Sequence, residues 1–263
     1  MTTFQNIAVE REGRLAKVIL NRPEVRNAFN ELTIAELTAA FATLGNDAEI
    51  RAIVLSGRGL SFCAGADLNW MKKMADYSHA ENLADAGQLA TMLSTIYTCP
   101  KPVVAQVQGD CYAGGMGLVA ACDIVVASDK VNFCLSEVKL GLIPATISPY
   151  VIKAMGEQAA RRYFLSAEKF SASDAARMGL VHELVSEEEL DAKVAKIVHT
   201  LLSNSPHAVM QAKRLVREVG GQEISATLIA STVKDIAEVR ASEEGREGVR
   251  SFLEKRKPSW LQV

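Results

Sequence analysis

Two stretches of this sequence combine the residue types needed to hold a developing negative charge and to move a proton. Ala113-Gly114-Gly115-Met116-Gly117 lies between the apolar runs Val103-Val104-Ala105-Gln106-Val107 and Leu118-Val119-Ala120-Ala121. The order reads as a strand, a turn without side chains and a buried helix. Such a turn lets backbone N–H groups face an oxygen at a helix N-terminus, where the dipole favours negative charge. Beyond the next predicted strand, Asp123-Ile124-Val125-Val126-Ala127-Ser128, stands Ser136-Glu137. A pair of N–H donors and one carboxylate suffice to form an enolate and protonate it. Taken alone, the turn also fits glycines placed only for close helix–strand packing. The second stretch is Cys63-Ala64-Gly65-Ala66-Asp67-Leu68. Alone it is a strand-to-helix turn with Asp67 as N-cap. Paired with the first, it supplies a second donor, the N–H of Ala66, and its small residues let a carbonyl approach the backbone.

Other chemistries fit less well. The glycine spacing is not G-x-G-x-x-G and lies deep in the chain, against a dinucleotide fold, and no G-x-S-x-G elbow supports a serine hydrolase. The 29 basic and 31 acidic residues give a net charge of −2, which argues against nucleic acid as a partner. The five cysteines are odd in number and form no C-x-x-C pair, as expected of free thiols in a reducing compartment. The four histidines are scattered, so no metal site is expected. No apolar run is long enough for a membrane span, and the N-terminus has no signal-peptide pattern; the expectation is a cytoplasmic protein.

The elements that must position these residues are those of an α/β protein. Strands are predicted over about 4–10 and 14–20, a helix over 31–44, and a short apolar strand at Ala52-Ile53-Val54-Leu55. Helical sequence then runs to about residue 97, followed by a strand at 102–108, the glycine turn with its helix, and the strand at 123–128. Strands buried on both faces and separated by helices define the class. From about residue 186 the pattern is helical only. Ser186-Glu187-Glu188-Glu189 reads as a capping box, and Ser205-Pro206 opens a further helix. The expected division is a core over 1–195 and a helical, oligomer-forming region over 196–263.

These residues also carry a resemblance. Asn21-Arg22-Pro23…Asn27-Ala28, Ala64-Gly65-Ala66-Asp67-Leu68, Lys101-Pro102-Val103…Gly109…Gly114-Gly115, Cys122-Asp123-Ile124, Glu137…Gly141-Leu142-Ile143-Pro144 and Ala175-Ala176…Gly179-Leu180-Val181 resemble the enoyl-CoA hydratase/isomerase (crotonase) superfamily over essentially the whole chain. The resemblance implies a spiral of ββα turns with a C-terminal helical trimerisation region, assembled as a trimer or a dimer of trimers. It implies an acyl-CoA substrate whose thioester oxygen lies between the N–H groups of Ala66 and Gly114. CoA would arrive with the substrate, with no other cofactor. Glu137 matches the second of two glutamates used by the familiar hydratases. The first, twenty residues earlier, is replaced by Gly117.

A single acid at Glu137 is also the pattern of several isomerases. A closer likeness runs through Asp67-Leu68-Asn69-Trp70-Met71-Lys72, Glu81-Asn82, Phe133–Pro144 and Ile147-Ser148-Pro149-Tyr150-Val151. It resembles bacterial methylglutaconyl-CoA hydratases of leucine breakdown, with carboxygeranoyl-CoA hydratases of terpene breakdown as close competitors. The expected reaction is reversible addition of water to a 2-enoyl-CoA. Enoyl isomerisation, or a non-catalytic acyl-CoA- or RNA-binding role, are the alternatives. Gly117 is expected to leave room for a branched acyl chain or a water. Arg26 and the cluster Lys255-Arg256-Lys257 are candidates for the CoA phosphates, and Ala64, Asp67, Leu68 and Tyr150 for further substrate contacts. Ile147-Ser148-Pro149 equally suits a helix start, Trp70 and Met71 suit the core, and His182 is expected to be structural.

Overall fold

The computed structural model describes residues 4–261. The chain opens with strands β1 (Ile7–Glu12) and β2 (Leu15–Leu20) and helix α1 (Glu31–Asn46), capped by the Asn30 side chain, which accepts from Thr33 N–H at 3.0 Å. Then come β3 (Ala52–Gly57), β4 (Ser61–Cys63), α2 (Leu68–Met74) and α3 (His79–Thr98). The next pass is β5 (Val103–Val107), β6 (Asp110–Tyr112) and α4 (Gly114–Ala120). It is followed by β7 (Ile124–Ser128), β8 (Asn132–Cys134), α5 (Ser148–Met155) and α6 (Glu157–Ser166). The strands end with β9 (Phe170–Ser171) and, after α7 (Ala172–Arg177), β10 (Glu183–Val185). Helices α8 (Leu190–Ser203), α9 (Pro206–Val219), α10 (Ala226–Ala241) and α11 (Glu243–Leu253) complete the chain.

The strands form two sheets. The larger has the order β1-β2-β3-β5-β7-β10, parallel except for β1 against β2. The smaller, β4-β6-β8-β9, is parallel except at its β8–β9 edge. Successive passes contribute one strand to each sheet and then a helix, so β3-β4, β5-β6 and β7-β8 stack as turns of a spiral. Both faces of the large sheet are covered. Ile53 and Leu55 of β3 pack into the main core with Phe29, Phe41 and Leu93, while Ala52 and Val54 meet Leu190, Val194 and Val198 of α8 on the other face. That two-sided burial is why β3 reads as an unbroken apolar run.

Two expectations are corrected. The three-residue strands β4, β6 and β8 and the two-residue β9 were not anticipated; they are too short to show a period of two. A division after residue 195 would cut α8, whose apolar face belongs to the sheet core; the appended helices therefore start at α9. The capping box at Ser186 is present but opens a 3-10 turn that leads into α8. None of the described helices is long and apolar enough to cross a membrane.

Candidate active site

The site is built where two passes of the spiral turn from the small sheet into a helix. In the first, β4 ends at Cys63, Gly65 takes φ +96°, and Asp67 caps α2 by accepting from Asn69 N–H at 2.7 Å. In the second, β6 ends at Tyr112 and Ala113 stands at φ 47°, a costly conformation for a residue with a Cβ, before Gly114 opens α4. The turns lie against each other: a side chain on Gly65 would point at Ala113 Cβ, 3.0 Å away, with Gly114 N at 3.9 Å. Among the described hydrogen bonds, the N–H groups of Ala66 and Gly114 have no acceptor. One turn, through glycine's freedom at Gly65, and the other, through strain at Ala113, each leave a backbone donor free.

Phe29 underlies both. Its N–H donates to Gly65 O at 2.9 Å and its C=O accepts from Asp67 N–H at 3.0 Å, a short parallel bridge across Ala66. Its ring occupies the space where a Gly114 side chain would begin, Cζ lying 2.4 Å from that Cβ position. The loop before Phe29 is held by Asn27, buried at 2% exposure. Its side chain accepts from Arg22 N–H at 2.9 Å and donates to the carbonyls of Arg58 and Ser61 at 2.8 and 2.9 Å.

Glu137 opens a 3-10 turn just after β8, closed by Gly141 at φ 72°. β8 is the strand paired with β6, and Cys134 O accepts from Ala113 N–H at 2.8 Å, so Glu137 lies three residues beyond the strand that fixes the glycine turn. Its Oε2 is buried without a hydrogen-bond partner. Burial pushes its carboxyl above the ordinary range, against an opposing backbone hydrogen bond. A carboxylate kept half-desolvated and under-bonded is poised to take and return a proton. Cys63, on the other turn, is no nucleophile, because burial pushes its thiol up to about 12.

The chain belongs to the enoyl-CoA hydratase/isomerase family. The family's sequence model matches residues 10–263. A short-chain-enoyl-CoA hydratase of Clostridium acetobutylicum is 31% identical, over 97% of each chain. A mevalonyl-coenzyme A hydratase of Aspergillus fumigatus is 36% identical over 92% of this chain and 89% of its own. The crystal structure of an enoyl-CoA hydratase from Shewanella pealeana superposes with a TM-score of 0.95 at 40% identity, covering 98% of this chain and 96% of that one. Family membership carries the coarser assignment: an enzyme of the enoyl-CoA hydratase type acting on an acyl-CoA thioester.

Within that family frame the other candidates fall in different places. Leu68, the first residue of α2, is 74% exposed beside Ala66, and Ala64 is half-buried on the same turn, its N–H donating to Arg26 O at 3.0 Å. The Asp67 carboxylate is fully occupied: besides capping α2 it pairs with Arg22 at 2.8 Å. Burial raises its pKa, but Arg22 and the Asn69 and Trp70 N–H groups outweigh that and hold it below the usual carboxylate range. Arg26 is exposed in the left-handed region. Arg256, expected among phosphate contacts, is committed to Glu247 and Glu254.

Tyr150 is placed elsewhere. It packs edge-on to Tyr97 at 5.3 Å and lines a cavity of about 300 Å³ with Ala120 and Cys122, at the end of α4 opposite Gly114. Ser148-Pro149 form the start of α5, Trp70 is core, and His182 Nδ1 accepts from Val125 N–H at 2.9 Å, joining β10's approach to β7.

The reading of Gly117 as open space is overturned. A Cβ there would lie 2.3 Å from Ile147 Cγ2 and 2.9 Å from its Cβ, with Leu93 Cδ2 at 3.4 Å. The place of the missing glutamate is filled by the side chain that precedes α5. Sequence reasoning missed Ile147 because only the fold brings it against a residue thirty positions earlier. Phe29 and the role of Asn27 were missed too, although Asn27 stood inside the motif.

Proposed function

We propose that the enzyme adds water reversibly to a 2-enoyl-CoA, with 3-methylglutaconyl-CoA, giving 3-hydroxy-3-methylglutaryl-CoA, as its substrate. The observation that carries the reaction is the unpaired, buried Glu137 Oε2 next to the strand that fixes the Gly114 turn. The thioester oxygen accepts from the N–H groups of Ala66 and Gly114, each donor lowering the barrier by about 3–4 kcal/mol in a dry site. Ionised Glu137 takes a proton from water as its oxygen bonds C3, the C2=C3 electrons pass to the thioester as an enolate, and Glu137 returns the proton to C2. One acid is enough for this cycle, so the closure of position 117 by Ile147 is compatible with it. CoA comes and goes as part of the substrate and the product, and the cycle calls for no other cofactor.

The choice of acyl group is supported by the local sequence match and by the mevalonyl-coenzyme A hydratase relative, whose name denotes a 3-hydroxy-3-methyl acyl thioester with a C5 oxygen. Isomerisation is the second reading, favoured by the same single carboxylate. The helices beyond α8 support assembly into a trimer or a dimer of trimers. Ile229, Val233 and Ile236 lie along one face of α10, with Val233 61% exposed, and Phe252 on α11 is 82% exposed. The test is a comparison of kcat/KM for hydration of 3-methylglutaconyl-CoA, crotonyl-CoA and a longer unbranched 2-enoyl-CoA. The proposal expects the branched diacid thioester to lead by about tenfold or more, the discrimination one well-formed pocket can supply. A preference for crotonyl-CoA would remove the acyl assignment and leave the reaction.

A further inference from the structure

We propose that Asp85 is a positioning residue for the oxyanion site, acting through Trp70 and Phe29. The proposal rests on the reading of the Ala66 and Gly114 N–H groups as that site. Phe29 touches both turns, its ring at Gly114 and its backbone at Ala66, so a shift of its ring releases Gly114 and a shift of its backbone moves Ala66. The ring is held by Trp70, whose centroid is 5.9 Å away at an interplanar angle of 48°. Trp70 is only 3% exposed, and an indole buried that deeply needs an acceptor for its ring N–H. Asp85, fifteen residues away on α3, accepts it at 3.0 Å. The backbone of Trp70 is tied in as well, its N–H donating to Asp67 Oδ1 at 3.4 Å, one residue from Ala66.

A carboxylate is a demanding acceptor here. Burial pushes Asp85 above the ordinary range, against the opposing hydrogen bond from Trp70. A charged acceptor gives a stronger and more directional bond than a neutral one, which fixes the plane of the indole and hence the face it offers Phe29. Oxyanion donors act only when held in position before the charge develops, so this chain of three side chains bears on turnover more than on binding.

The chain has two tryptophans, Trp70 and Trp260, so Trp260→Phe makes Trp70 the sole indole reporter. In that background, Asp85→Leu removes the acceptor, Asp85→Asn keeps one, and Trp70→Phe keeps a ring but removes the donor. Crotonyl-CoA is the probe substrate. Asp85→Leu is expected to change Trp70 emission and to lower kcat about tenfold or more, with KM moving less than about twofold. Asp85→Asn should stay within about threefold of the parent, since it retains the hydrogen bond. Trp70→Phe should match the Leu variant, and the two together should lose no more than either alone.

Altered emission with unchanged kcat, unaltered emission, or losses that multiply in the double variant would each overturn the proposal. If Asp85→Leu does not fold, Trp70→Phe against Asp85→Asn carries the same comparison. A parent enzyme that hydrates no enoyl-CoA would instead sink the functional reading, before any variant is compared.

Discussion

The chemistry of the site turns on Glu137. Its folded pKa is raised by burial, so the ionised form is the disfavoured one in the native state. Two outcomes follow with definite sign. Hydration needs the carboxylate, so kcat/KM should fall as pH drops through the raised value, above the ordinary 4.5. Stability runs the other way: the native state gains as pH falls through the raised pKa, and the gain is complete below 4.5. Glu137→Gln, which cannot ionise, should therefore raise the melting temperature at neutral pH and lose that advantage in acid. The same variant should cut kcat by about a hundredfold or more with little change in KM. A melting temperature lowered at pH 7 would show that the carboxylate is paired in the native protein. Asp67 has the opposite sign. Held below 3.8 by Arg22 and the α2 cap, it contributes stability above that value and loses it as pH falls through its depressed pKa.

The two turns are kept open by what packs beneath them. A Cβ on Gly117 would lie 2.3 Å from Ile147 Cγ2, so Gly117→Ala forces a shift of α5 against α4 and should cost about 1–3 kcal/mol by denaturant unfolding. Ile147→Ala removes the offending Cγ2 and on its own costs about 2–5 kcal/mol as a buried truncation. The pair should cost clearly less than the sum, because the new methyl fills part of the cavity. Strict additivity would mean that the two positions do not meet. What the sequence made legible is of the same kind. The glycine turn, the Asp67 cap, the start of α5 and the strands β2, β3, β5 and β7 are each set by local chemistry or by a long apolar run. Arg22, Phe29, Asp85 and Ile147 were not legible as site supports, because their partners lie from 15 residues (Asp85 to Trp70) to 85 residues (Phe29 to Gly114) away and nothing local marks that role. The short strands of the small sheet were hidden for a related reason: three residues cannot declare a period, and their pairing depends on the spiral being closed.

Helix α9 docks on the core through Lys213, which reaches Asp123 at 2.6 Å and Lys101 O at 2.9 Å, while α10 and α11 keep apolar faces outward. Val233→Asp places a charge in the middle of the α10 face and, if that face forms the proposed trimer, should reduce it to monomers by light scattering, with the sheet core still folded. An unchanged mass would move the interface off α10. In the proposed reaction, one carboxylate and two backbone donors add water to an enoyl thioester. It is tested most directly by incubating the enzyme with 3-methylglutaconyl-CoA and crotonyl-CoA in water labelled with both ¹⁸O and deuterium, followed by mass spectrometry of the products. One ¹⁸O in the C3 hydroxyl and one deuterium at C2 are expected, both abolished in Glu137→Gln. Deuterium gained without oxygen, in an isomerised enoyl-CoA, would contradict the proposed reaction.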